Sequence, residues 1–165
     1  MKIIFLDVDG VINSVRSMVA LHRKDDGYRY DFIDPIAVAL INRLTDVTGA
    51  NLVISSTHRK HIPDLLGTGR CLVAMQKYFD NFGITGKVIG YTPCDPRGHR
   101  GNEIREWLAE NTDRLKISEY VIIDDDSDMT EAQKLHHFVK VDNYEGFGYH
   151  GYKEALRILG CEDKV

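Results

Sequence analysis

The sequence predicts an α/β fold: a parallel sheet of about five strands with helices on both faces. Two observations carry that reading. Short, continuous apolar runs recur along the chain, the mark of strands buried on both sides, and segments with helical periodicity alternate with them. A third observation gives the sheet a working end. Three of the apolar runs stop abruptly in polar clusters: Asp7-x-Asp9, Ser55-Ser56-Thr57 and Asp124-Asp125-x-x-Asp128. In parallel sheets of this kind, ligands gather outside the carboxyl ends of the strands.

The elements follow in order. Ile3-Ile4-Phe5-Leu6 is the first buried strand. Residues 11–33 read as irregular and polar, with Arg16, His22, Arg23, Lys24 and Arg29 among them. Asp34-Pro35 then opens a helix, with Asp as N-cap and Pro in the first turn. Its apolar stripe runs through Ile36, Leu40, Ile41, Leu44 and Val47 until Gly49 ends it. A second strand covers residues 51–54. Residues 61–82 read as helical in pieces, broken around Gly67-Thr68-Gly69. A short strand at 87–91 leads into a loop over 93–101 rich in Pro, Gly, Arg and His. A helix over 102–111 buries Ile104, Trp107 and Leu108. Tyr120-Val121-Ile122-Ile123 is the next strand, residues 138–141 the fifth, and a helix over 152–159 closes the chain before Gly160.

The bulk properties fit one domain. There are 165 residues, 43% hydrophobic and 28% charged, long enough to bury a full sheet with its helices. With a net charge of −4, the surface as a whole does not attract polyanions, so any nucleic-acid binding needs a local basic patch. Cys71, Cys94 and Cys161 are scattered and lack metal spacing, as expected of reduced thiols in a cytoplasmic protein. No apolar run approaches the roughly 20 residues of a membrane span, and no signal peptide is legible at the start.

Each polar cluster has a plain explanation by itself. Turns favour Asp and Gly, Ser and Thr end strands or cap helices, and acidic residues suit a helix N-terminus. Three such clusters on three buried strands ask for a common cause. Carboxylates gathered at one end of a sheet repel each other unless a cation sits among them. Mg²⁺ suits the set, because it prefers oxygen and shares its shell between a few carboxylates, water and a substrate phosphate. No His or Cys pair at zinc spacing lies in these segments. Such an ion neutralises a phosphoryl group and orients it for in-line attack. A carboxylate can attack phosphorus, and a second one two positions on can manage the proton. A hydroxyl and a basic side chain complete the cradle.

These residues resemble a known family. Asp7-Val8-Asp9-Gly10-Val11 resembles the first motif of the haloacid dehalogenase (HAD) superfamily of phosphatases. Ser55 after Leu52-Val53-Ile54 is similar to its second motif, and Val121-Ile122-Ile123-Asp124-Asp125-Asp126-Ser127-Asp128 to its fourth. The resemblance spans nearly the whole chain and implies a three-layer, Rossmann-like fold. It also implies roles: Asp7 as nucleophile, Asp9 as general acid and base, and Ser55 as a ligand of the transferring phosphoryl group. Asp7, the main-chain carbonyl of Asp9 and Asp124 would hold Mg²⁺, with Asp125 or Asp128 in support. An acid at position 9 favours a phosphatase over a dehalogenase. The third motif is a Lys or Arg at or before the helix that precedes the fourth. Arg100, at the mouth of that helix, is the first choice, with Arg97 and Lys87 as alternatives.

Members of the superfamily set specificity with cap domains. Here the interval from Gly10 to Asp34 holds a short flap, and helices of the core account for the interval after Thr57, so no large cap is expected. An open site goes with a large substrate, or with a second copy of the chain acting as a lid. Basic residues point to the large substrate. The flap group, then His58, Arg59, Lys60 and His61, then Arg97, His99 and Arg100 would all rim one end of the sheet. Ser56, Thr57, His58, Arg59 and Arg97 are the expected substrate contacts. Such a rim suits RNA or DNA ends, although basic loops can also simply offset an acidic centre, and Tyr28 and Tyr30 are as suited to packing as to stacking on bases. A narrower resemblance agrees with this. Ser55-Ser56-Thr57-His58-Arg59 and Arg100-Gly101-Asn102-Glu103-Ile104-x-x-Trp107-Leu108 are similar to HAD domains of RNA-repair proteins and to the 3′-phosphatase module of polynucleotide kinase-phosphatases. That subfamily commonly has Trp where His58 stands. No phosphate-binding P-loop occurs, so a kinase activity is excluded. The alternatives are a phosphatase of nucleotides or sugar phosphates, and a phosphate- or nucleic-acid-binding module with little turnover.

Overall fold

A computed structural model describes residues 1–22, 32–57, 71–95 and 97–163 of the chain. Five parallel strands form its centre: β1 (Lys2–Leu6), β2 (Asn51–Ile54), β3 (Val88–Tyr91), β4 (Glu119–Asp124) and β5 (Phe138–Lys140). Their spatial order is β3-β2-β1-β4-β5. The chain first builds outward from β1 through β2 to β3, then crosses back to lay β4 on the other side of β1. The strand order therefore reverses at β1 and β4, the place where doubly wound sheets open a crevice for a ligand. Register is fixed across the centre, with Phe5 opposite Val53 on one side and Ile122 on the other.

Alternation along the strands divides the core in two. Ile4, Leu6, Leu52, Ile54, Val121 and Ile123 face one way. They pack under α2 (Pro35–Thr48), α3 (Cys71–Asn81) and α6 (Tyr149–Ile158). Ile3, Phe5, Val53 and Ile122 face the other way and pack under Ile104 and Trp107 of α4 (Arg100–Leu115). Phe5 meets the Trp107 ring edge-on at 5.4 Å, an arrangement aromatic quadrupoles favour. Layers on both faces explain why the strands read as unbroken apolar runs, and the described residues add no cap layer.

The Asp34 N-cap stands as expected, its side chain accepting from the Ile36 N–H, and Gly49 ends α2 with φ of +65°. Several boundaries differ from the sequence reading. Residues 15–21, within the stretch that reads as irregular, form the helix α1 (Val15–Leu21). Ser14 caps it by accepting from the Ser17 N–H. The cap was readable, but an exposed helix with one buried residue leaves no apolar stripe to read. A further short helix, α5 (Glu131–His136), is closed by a capping box in which Thr130 and Gln133 each bond the other's backbone. The acidic run before it masked that signature. Helix α4 begins at Arg100 rather than residue 102 and continues to Leu115, ending on Lys116 in the left-handed region rather than on glycine. Helix α6 begins at Tyr149, three residues early. The break expected at Gly67-Thr68-Gly69 lies outside the described residues.

Candidate active site

Hydrogen bonds between strands carry the sheet's register past the last strand residues, and that is what gathers the polar groups. The Asp7 N–H donates to the Ile123 carbonyl at 3.1 Å, the Ser55 N–H to that of Leu6 at 2.9 Å, and the Thr92 N–H to that of Ile54 at 3.0 Å. The ends of β3, β2, β1 and β4 thus stand side by side, presenting Thr92, Ser55, Asp7 and Asp124. All four are buried.

The turn after Asp7 is tight. The Val8 carbonyl accepts from the N–H groups of Val11, Ile12 and Asn13. Gly10 holds φ of +70°, a conformation side chains disfavour. There is no room for a side chain either, because a Cβ at Gly10 would stand 2.3 Å from Asp125 Oδ2. Asn13 braces the same turn. Its Oδ1 accepts from the Gly10 N–H at 3.1 Å, and its Nδ2 donates to Asp9 Oδ1 at 2.9 Å. Asp9 itself is exposed, whereas Asp7 is nearly enclosed.

Asp7, Asp124 and Asp125 each bring a carboxylate oxygen within 4.8 Å of the other two. Burial raises the Asp7 carboxyl to about 6, against hydrogen bonding from the Ser56 hydroxyl and the charge of Arg100. Burial again, then the Asp7 charge, raises Asp124 to about 8. Asp125 is raised as well, chiefly by burial. Asp124 Oδ2 is buried and accepts no hydrogen bond from any described residue. Three crowded carboxyls, one with a buried oxygen that no described residue satisfies, fit a hard cation, which would supply the missing positive charge. These residues could hold a metal ion.

Arg100 completes the centre. It is the first residue of α4, with its side chain 14% exposed. Its Nε lies 3.5 Å from Asp124 Oδ2, and its Nη1 donates to Glu103 Oε2 at 3.0 Å. Asp128, expected to support a metal, stands outside the three-carboxylate group. Its Oδ2 accepts the Arg100 N–H at 2.8 Å and its carbonyl the Gly101 N–H at 3.1 Å. Those are two of the donors that a helix start leaves unpaired. Gly101 permits the approach, since a Cβ there would press to 2.6 Å on the Thr130 backbone nitrogen.

Other expected residues lie less centrally. The Ser55 hydroxyl is buried with no hydrogen-bond partner among the described residues, whereas it is Ser56 whose hydroxyl reaches Asp7. Thr57 is exposed at the rim. The Arg97 side chain is 79% exposed, 3.6 Å from Asp95. Lys87 is exposed ahead of β3, at the end of the sheet opposite the carboxylates. Arg16 is tied to Asp34 at 2.7 Å and to Glu145 at 2.9 Å, so two carboxylates already balance its charge. His58, Arg59, Lys60 and His61 lie outside the described residues, as do Arg23, Lys24, Tyr28, Arg29 and Tyr30. Four contributors escaped the sequence reading: Asn13, Thr92, Glu103 and Lys140. Thr92 was findable as the polar residue ending β3, and Glu103 by its spacing of three from Arg100. Lys140, which donates to the Asp125 carbonyl, carries no signal beyond its place in the fifth strand.

Residues 3–149 match the model of one family, described as the HAD domain in Swiss Army Knife RNA repair proteins. The chain belongs to that family. No curated protein and no solved structure matches it. For a HAD domain, the five-stranded parallel sheet and the acidic cluster at its carboxyl end are the expected frame. Among the described residues, no helix of this HAD domain is long and apolar enough to cross a membrane.

Proposed function

We propose that this HAD domain is a Mg²⁺-dependent phosphomonoesterase that acts on phosphorylated nucleic-acid ends through an aspartyl-phosphate on Asp7. The observation that carries the reading is the convergence of Asp7, Asp124 and Asp125 within 4.8 Å, with Arg100 against Asp124. Asp7, Asp124 and Asp125 would hold Mg²⁺, which supplies charge neutralisation for the phosphoryl oxygens. An Asp7 carboxylate oxygen attacks phosphorus as the bond to the leaving oxygen breaks, and Asp9 gives that oxygen its proton. Asp9 then takes a proton from water, which attacks the same phosphorus and returns Asp7 as a free carboxylate. The exposure of Asp9 and its bond to Asn13 suit a group that must meet both leaving group and water. The Ser56 hydroxyl orients Asp7. The Ser55 hydroxyl, without a partner among the described residues, and the Arg100 guanidinium are suited to phosphoryl oxygens, a guanidinium offering donors in a fixed fork.

The family description supports a polymeric substrate, and so do basic residues near the site: Arg97, His99 and Lys140 are all exposed. The test is a comparison with Mg²⁺ of 3′-phosphorylated oligonucleotides and mononucleotides over a salt series. A polymer-directed enzyme prefers the oligonucleotide and loses that preference as salt rises. Equal, salt-insensitive rates would assign the site to small phosphates, and full activity of Asp7→Asn would remove Asp7 as nucleophile.

A further inference from the structure

Glu103 has no part in the chemistry proposed above, yet it is a buried carboxylate, 4% exposed, one helical turn into α4. Buried carboxylates are retained at a cost unless they are paired and hydrogen-bonded. This one is engaged on both oxygens. Oε2 accepts from Arg100 Nη1 at 3.0 Å, and Oε1 accepts the Asp95 N–H at 3.0 Å. Asp95 in turn organises the loop between β3 and α4, accepting from the Arg97 N–H at 2.8 Å and from Asn102 Nδ2 at 3.3 Å. The Arg100 guanidinium therefore has Glu103 on Nη1 and Asp124 facing Nε. One hydrogen bond, to Glu103, and one facing carboxylate, 3.5 Å away on Asp124, orient a planar group. Its backbone is pinned separately, by Asp128.

We propose that Glu103 is the positioning residue of the site: it sets the plane of Arg100 toward the phosphoryl position and ties that plane to the loop carrying Arg97. A Lys or Arg on a long stem searches many rotamers, and a carboxylate held by the backbone at Asp95 removes that freedom before substrate arrives. Glu103 touches neither substrate nor metal. It acts through Arg100, so its effect depends on Arg100 being present.

The kinetic arm of the test rests on the phosphatase reading, and a binding arm does not. Glu103→Gln presents one oxygen and one amide nitrogen, so it satisfies either Arg100 or the Asp95 N–H, not both. Glu103→Gln, Arg100→Gln and the double variant are compared for kcat and KM on p-nitrophenyl phosphate with Mg²⁺, and for inorganic phosphate affinity by calorimetry. Glu103→Gln is expected to lower kcat and phosphate affinity about tenfold in the Arg100 background and less than about twofold in the Arg100→Gln background. A purely structural Glu103 gives the same factor in both backgrounds, and that result, or no effect in either, overturns the proposal. Should the unaltered protein hydrolyse nothing, the phosphatase reading fails, and the phosphate-affinity cycle alone still decides the role of Glu103.

Discussion

Asp128 Oδ2 accepts the backbone N–H of Arg100 at 2.8 Å, so the acidic loop after β4 is also the cap of the helix that carries the site's arginine. Carboxylates and cation are thereby held in one rigid piece. Asp128→Ala should cost about 1–2 kcal/mol of stability, as the loss of a helix cap does, and Asp128→Asn less, because an amide oxygen still accepts. Urea unfolding of the two variants checks the order. Equal losses would mean that the capping bond contributes little.

The acidic centre makes stability depend on pH in an unusual direction. Asp7 and Asp124 sit above the ordinary carboxylate value of 3.8, at about 6 and about 8. The metal-free folded chain thus keeps protons that the unfolded chain has already released. Stability from these groups is present in full below about pH 4 and is lost as pH rises through 6 toward 8. Metal-free protein should therefore show a falling contribution over that range, on the order of a few kcal/mol. Asp124→Asn should flatten the fall, as read by thermal midpoints in chelator. Added Mg²⁺ should raise the midpoint most at the alkaline end, because binding displaces those protons.

Gly10 and Gly49 share a positive φ, +70° and +65°, but have different surroundings. A Cβ at Gly49 meets nothing within 4 Å, whereas at Gly10 it meets Asp125 Oδ2 at 2.3 Å. Gly49→Ala should cost about 1 kcal/mol for the backbone alone. Gly10→Ala should cost more and should also weaken the stabilisation by Mg²⁺, since Asp125 must move. Comparing the two variants with and without Mg²⁺ separates strain from displacement. Identical behaviour would count against the packing of Asp125 on the turn.

Thr92 is fully buried, and its hydroxyl finds no partner among the described residues. Thr92→Val replaces that oxygen with a methyl group of similar size. Stability should be unchanged or rise by about 1 kcal/mol, because no hydrogen bond is lost and an unsatisfied group disappears. A clear loss of stability in chemical denaturation would show that the hydroxyl is satisfied after all.

Much of this arrangement was legible in the residues. Strands buried on both faces announce themselves as apolar runs, and Asp34-Pro35 and Gly49 bracket α2 by simple backbone chemistry. The carboxyl-end rule brings Asp7, Ser55 and Asp124 to one end of the sheet, and the strand order sets them side by side. What stayed hidden was of two kinds. Helices α1 and α5 bury little, so no hydrophobic period reveals them, and only their caps speak. The partnerships of Glu103 with Arg100, Asp128 with the start of α4, and Ser56 with Asp7 depend on how elements far apart in sequence are set against each other. Residue type alone shows neither that Asp128 bonds the start of α4 nor that Glu103 bonds Arg100.

The strand order also bears on how the molecule comes into being. β1 is made first, but one of its two neighbours is β4, which leaves the ribosome long after β2 and β3. Until then one edge of β1 stays open, and Asp7 lacks Asp124 and Asp125 beside it. Pairing strands so distant in sequence closes a large loop, which slows folding. A nascent chain halted before β4 would hold no cluster to capture a cation, so the site and the β1–β4 pairing arrive together.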